Sequence, residues 1–362
     1  MSDPQPKPGI MKIAAYKGGD GSIPGFSDPI RLAANESALG PSPKAIAAFE
    51  ATKDELHRYA DGGAPGLRQA LGKLHGLDPD RIVIGNGSDE IISLVTKAYA
   101  GPGDEVLFSR HGFAMYPIAT LAAGATPVMA PEENYRTDVD AMLAAVTDKT
   151  RIVFLANPNN PTGSMIDRDA LHRLHAGLPD NVILAVDGAY AEYVSRNDYS
   201  SGLELAADMP NAIMLRTFSK IYGLSALRIG WCYGPAEIAD VLNRIRGPFN
   251  VSAPALAAAE AALDDIPFTD AARAHNDIWL PWLGAELGKI GLVVHPSVGN
   301  FVLVEFPDDP AHSADAANDA LNASGIIPRK VGNYGLPQCL RITIGLESDM
   351  RAVVAALTAF MG

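Results

Sequence analysis

At 362 residues, with 48% of them hydrophobic and 20% charged, the chain has the make-up of a globular protein and length enough for more than one domain. A formal net charge of −13 and a pI near 5.0 set its surface against phosphate backbones, so no nucleic-acid partner is expected. No apolar run approaches the roughly 18 residues that a membrane-spanning helix needs. Met1 to Gly9, with Pro4, Pro6 and Pro8, lacks the apolar stretch of an export signal and reads as an extended arm. The two cysteines, Cys232 and Cys339, lie far apart without CxxC or metal-type spacing. That predicts neither a disulfide nor a structural zinc site and fits a reducing compartment; with no export signal and no membrane-length apolar run, the expected place is the cytoplasm, with no membrane partner.

In chain order, Arg81 to Gly85 reads as the first strand and Ser88 to Ala100 as the helix after it. Asp104 to Ser109, Thr126 to Met129, Arg151 to Leu155, Asn181 to Val186, Ala212 to Leu215 and Ile229 to Tyr233 follow as strands, with helical stretches among them. Apolar runs this continuous suit strands covered on both faces, and the alternation predicts an α/β three-layer domain on a mostly parallel sheet. Beyond Gly247 the texture changes. Ser252 to Leu263, Asp270 to Ile290, Ala311 to Ala323 and Asp349 to Phe360 read as helices, and Val302 to Phe306 and Leu340 to Ile344 as strands. The expected division is an N-terminal arm, 1–40, that partly joins a smaller α+β domain, 248–362, beside a large ligand-binding domain, 41–247.

Ligands of open α/β sheets sit beyond the carboxyl ends of the strands. Ser88, Asn160, Asp187 and Lys220 all follow strand ends, so four strands could deliver them to one pocket. In Gly85-Asn86-Gly87-Ser88-Asp89-Glu90, glycines admit a ligand close to the backbone while the helix offers free N–H groups at its positive end, an anion site that would also pass for an ordinary capped helix. Asn157-Pro158-Asn159-Asn160-Pro161-Thr162-Gly163 is a stiff loop able to aim the Asn160 amide. Asp187 ends a buried run and needs a cation or donors to meet it, or else serves as a cap, and Tyr190 lies three residues on. In Thr217-Phe218-Ser219-Lys220, followed by Arg228, a lysine able to form a Schiff base stands among two hydroxyls and a guanidinium suited to phosphate.

Together these groups answer the demands of pyridoxal 5′-phosphate (PLP). Lys220 would tie it covalently, and Asp187 would keep its ring nitrogen protonated. Asn160 and Tyr190 would donate to its ring oxygen, and Phe113 or Tyr116 would stack on its face. Gly87, Ser88, Asp89, Thr217, Ser219 and Arg228 would hold its phosphate.

On these motifs the chain resembles the fold type I aminotransferases and, within them, the histidinol-phosphate aminotransferase family. The likeness runs from Ala34-Asn35-Glu36 to Leu340-Arg341-Ile342-Thr343-Ile344-Gly345. It implies that Lys220 also shuttles a proton, with Asp187 and Tyr190 beside it in catalysis, and that the protein is a homodimer in which Tyr59 reaches the partner's cofactor phosphate. Asn35, Arg329 and Arg341 become substrate contacts, the arginines gripping either phosphate or carboxylate. The implied reaction moves an amino group from an amino donor to a 2-oxo acid, with histidinol phosphate and 2-oxoglutarate the expected pair, in histidine biosynthesis. Aromatic amino acids as donors, a threonine-phosphate decarboxylase and a silent ligand-binding regulator are the competing readings. The chain departs from the family pattern at Ser37-Ala38 and at Ala60, beside the Asn35 and Tyr59 positions.

Overall fold

A computed structural model of the chain describes residues 3–15, 18 and 21–362. Residues 1, 2, 16, 17, 19 and 20 of the expected arm lie outside the described residues. Residues 3–7 have no regular structure, but the arm is not extended throughout: Gly9, with a φ of 99°, turns the chain into a short 3-10 helix at Ile10–Lys12. Among the described residues no helix is long and apolar enough to cross a membrane.

Seven strands form the larger sheet: β1 (Ile82–Gly85), β2 (Glu105–Ser109), β3 (Thr126–Ala130), β4 (Thr150–Ala156), β5 (Ile183–Asp187), β6 (Ala212–Thr217) and β7 (Gly230–Tyr233). Their order is β1-β7-β6-β5-β4-β2-β3, parallel except for β7, which runs against both neighbours. Successive side chains of a strand point to opposite faces, and the packing follows. Val83, Ile213 and Leu215 join Ile91, Val95 and Leu242 of helices Ser88–Tyr99 and Ala236–Ile245. Ile84, Met214 and Trp231 join Leu67, Leu71 and Ala259 of helices Pro65–His75 and Ala253–Leu263 on the other side. Both faces of the sheet are therefore dry, and the expected α/β three-layer arrangement is present.

The register aligns the carboxyl ends. Ala156 pairs with Asp187, while Gly230 is level with both Gly85 and Thr217. The polar residues that follow these positions consequently emerge at one edge.

A second sheet has four antiparallel strands, β8 (Val293–His295), β9 (Phe301–Glu305), β10 (Arg329–Lys330) and β11 (Cys339–Thr343), in the order β8-β9-β11-β10. Val302, Val304, Leu340 and Ile342 pack on Leu283, Leu321 and Leu357 of helices Ile266–Lys289, Ala314–Ala323 and Glu347–Met361. The opposite face carries Leu303, Cys339 and Arg341. Ile30–Arg31 pairs in parallel with Ile326–Ile327, and Leu32 enters the same core.

Helix starts differ from expectation where a cap or proline decides them. Ser313 accepts a hydrogen bond from Ala316 N, so that helix starts at Ala314 rather than Ala311. Pro267 in the first turn lets the long helix begin at Ile266, four residues before Asp270. Asp349 bonds back to Leu346 N and opens the last helix at Glu347.

Phe154, fully enclosed, lies parallel to the Tyr116 ring at 4.7 Å between centroids. Phe154→Ala is expected to lower unfolding free energy by about 3–5 kcal/mol through lost transfer energy and the cavity left behind, measured by denaturant titration.

Candidate active site

The edge where the strand ends align holds a cavity of about 270 Å³. Ser88, Asn160, Asp187 and Lys220 all line it, with Asp89, Phe113, Tyr190, Thr217, Ser219 and Arg228. Asn35, Arg329 and Arg341 close it from the side of the smaller sheet and the segment before residue 40. Two expected positions are not in its wall. Gly87 stands behind the wall, and Tyr59 is 82% exposed, stacked on Phe249 at 4.4 Å.

One end is an anion cradle. The helix from Ser88 presents its unbonded N–H groups there. Arg228 takes the left-handed conformation, φ 50°, and its Nη2 donates to Asp89 Oδ2 at 3.0 Å. Arg228 Nη1 donates to Ser225 O at 3.0 Å and reaches Ser219 Oγ at 3.4 Å. The Thr217 hydroxyl accepts from Ser219 N at 3.1 Å, which folds the loop around the cradle. Gly87 matters by absence: a Cβ there would sit 2.6 Å from Arg228 Nη2, and its φ of 77° is itself unfavourable for a side chain. Gly230 likewise lets β7 pass the helix end, since a Cβ would lie 2.6 Å from Ser88 N.

The opposite end is organised by Asp187. Its Oδ2 accepts from Tyr116 Oη at 2.9 Å, while Oδ1 is buried with no hydrogen-bond partner. Burial pushes this carboxyl up to about 6, against the pull of the Tyr116 bond, with Asp89 adding to the rise. Tyr116 is therefore not a ring-stacking residue, the alternative role considered for it. It lies beneath the carboxylate, wedged against Phe154, and only Phe113 of the two borders the cavity.

Between the ends stands Lys220, whose Nζ donates to Ala34 O at 3.0 Å. Desolvation, then the charge of Arg341, bring its ammonium down to about 8. Tyr190 accepts at its hydroxyl from Asn35 Nδ2 at 2.8 Å, so its own proton is the one left to donate. Burial holds that phenol well above its ordinary range, ensuring that the proton is present. Arg341 donates through Nη1 to Asn160 Oδ1 and through Nη2 to Ala33 O. That fixes the Asn160 amide with its NH₂ as the remaining donor. Arg329 is level with Arg341 across the antiparallel pair, so two guanidinium groups face one region. The sequence reading overlooked Tyr116 as a partner of Asp187 and the carbonyls of Ala33 and Ala34, because these contacts span 71 to 308 residues and leave no local signal.

A carboxyl raised from 3.8 to about 6 binds its proton more tightly folded than unfolded. Its stabilising contribution is complete below about pH 4 and lost as pH rises through 6. In ligand-free protein, Asp187→Asn is expected to gain roughly 3 kcal/mol on wild type between pH 4 and pH 7, read from thermal unfolding at each pH.

The model of the family described as aminotransferase class I and II matches residues 27–357. A histidinol-phosphate aminotransferase of Paramagnetospirillum magneticum is 54% identical over 362 residues, covering 100% of both chains. One of Rhodospirillum centenum is 56% identical, with 99% of this chain and 98% of that one covered. The crystal structure of histidinol-phosphate aminotransferase from Sinorhizobium meliloti, in complex with pyridoxal-5′-phosphate, superimposes with a TM-score of 0.89 at 30% identity, over 97% of this chain and 96% of that one. A Thermus thermophilus aspartate aminotransferase shares the fold, with a TM-score of 0.81 at 21% identity and 92% of each chain covered. With a matching model across nearly its whole length and relatives of this closeness, the chain belongs to the class I and II aminotransferases and, within them, to the histidinol-phosphate aminotransferase family.

Proposed function

We propose that the protein is a PLP-dependent aminotransferase that moves the amino group of histidinol phosphate to 2-oxoglutarate, as a step of histidine biosynthesis. The observation that carries the cofactor is the buried, unpartnered Oδ1 of Asp187 opposite a cradle of helix N–H groups, hydroxyls and Arg228. A carboxylate left half-satisfied in a dry wall is costly, and a protonated ring nitrogen is the partner that removes the cost. The residues fit the group. The closeness of the full-length relatives supports the substrate.

When bound, PLP supplies an electron sink conjugated to the substrate's reacting carbon. The protein's residues do the rest. Lys220 would hold the cofactor covalently and, once displaced by substrate, take a proton from the substrate carbon and return it. An amine near 8 is partly neutral at physiological pH, which that role requires. Asp187 would keep the ring nitrogen protonated, with Tyr116 fixing its other oxygen. Tyr190 and Asn160 each have a proton to offer the ring oxygen. Phe113 would cover the ring, and the phosphate would rest on Ser88, the Asp89 backbone, Thr217, Ser219 and Arg228, with Gly87 giving room. Arg329 and Arg341 would bind the anionic end of the substrate, with Asn35 beside them.

The proposal includes a cytoplasmic homodimer, divided into the arm 1–40, a cofactor-binding domain 41–247 and a smaller domain 248–362. Tyr59 lies on the surface away from its own cavity, which suits service to a neighbouring subunit. Sedimentation should give twice the chain mass, and Tyr59→Phe should weaken PLP binding about tenfold through loss of one hydrogen bond to a charged group; a monomer, or unchanged affinity, refutes the exchange.

Lys220→Ala should abolish turnover together with the absorption band of the lysine-bound cofactor, and a variant retaining both overturns the assignment. Against 2-oxoglutarate, kcat/KM should be higher for histidinol phosphate than for phenylalanine or tyrosine. The reverse order would make aromatic amino acids the donors.

A further inference from the structure

Outside the cavity, on the cavity-facing side of the smaller sheet, side chains from three strands converge. Glu305 of β9 pairs directly with Cys339 of β11, and His295 of β8 lies two residues from the partner of Glu305, so all three project from one face. One ligand atom from each, an imidazole nitrogen, a carboxylate oxygen and a sulfur, lies within 4.8 Å of the others. We propose that His295, Glu305 and Cys339 form a site for a borderline-soft divalent transition metal, with zinc the natural occupant.

The donor set selects the class of ion. A thiolate with an imidazole disfavours magnesium and calcium, which take oxygen ligands, and suits zinc. Zinc holds nitrogen and oxygen at about 2.0–2.2 Å and sulfur at about 2.3 Å, so tetrahedral ligands end up roughly 3.3–3.8 Å apart. His295 Nε2 and Glu305 Oε2 already approach to 2.9 Å around a shared proton. Exchanging that proton for a metal asks these two to part slightly, with sulfur no more than 4.8 Å from either.

The surroundings support the His295 ring. Tyr135 meets it edge-on at 4.7 Å, and the Tyr135 hydroxyl accepts from Gln338 Nε2 at 3.0 Å. Tyr135 and His295 also border a groove that runs past Pro281 and Gly284, so the imidazole can be reached from solvent. The cysteine spacing in the sequence could not reveal such a site, because each ligand comes from a different strand. The proposal is independent of the aminotransferase reading, and neither failure entails the other.

The test uses cofactor-loaded enzyme, freed of metal by a chelator and titrated with zinc sulfate or cobalt chloride. Wild type should bind one zinc per chain, and cobalt should produce a thiolate charge-transfer band with intense tetrahedral ligand-field absorption. Cys339→Ser should abolish the charge-transfer band. Cys339→Ser and the more exposed His295→Gln should each weaken zinc binding by at least the roughly 10–100-fold that loss of even an outer-shell partner costs. Cys232→Ala, altering the other cysteine, should leave both signals intact. The proposal is overturned if wild type takes up no equimolar zinc, if the two ligand variants bind as wild type does, or if the band vanishes with Cys232 instead.

Discussion

A carboxylate held in a dry wall governs this molecule. Asp187 ends a strand whose five residues are all buried, and its burial makes one demand, that a cation or donor meet each oxygen. Tyr116 meets one, and the cavity opens at the other. The parallel register then matters. Because Ala156 and Asp187 are paired, and Gly85 and Thr217 both stand level with Gly230, the groups beyond these strand ends share the space around that carboxylate. The hydrophobic layers on both faces of the sheet hold this register in place, since a one-residue slip would turn every buried side chain to the wrong layer.

Around Asp187 the cavity is polarised by pairing polar groups so that each has one defined function left. Arg341 occupies the carbonyl oxygen of Asn160, and Asn35 occupies the lone pair of Tyr190, leaving a donor in both cases. Lys220 stands near cationic Arg341 in a desolvated position, which favours its neutral amine. Such preorganisation costs fold stability at the site and returns it as orientation of whatever enters.

Much of this was legible in the chain. Strands announce themselves as continuous apolar runs, such as Ala212 to Leu215 and Ile229 to Tyr233, and Ser88, Asn160, Asp187 and Lys220 follow strand ends where a topological rule places ligands. What stayed hidden has physical causes. Ile30–Arg31, Ile326–Ile327 and Arg329–Lys330 are two-residue strands, too short to show a period, and exist only because tertiary partners lie alongside. Tyr116 and Phe113 are close in sequence and equally aromatic; only packing decides that one borders the cavity while the other props a carboxylate. Tyr59 stands exposed and outside the cavity wall, and its proposed service to a neighbouring subunit comes from the family resemblance rather than from the pattern of the chain.

The close passage of Arg228 over Gly87 carries one more implication. Less than a methyl group's room lies between them, and the atom in the way is the tip of a long side chain that is partly exposed. A side chain at 87 would have to swing the guanidinium aside and also accept a φ of 77°, and the second cost stays wherever the arginine goes. Residue 87 is thus held first by its backbone and second by the guanidinium, and only the second hold can be loosened by a change of rotamer.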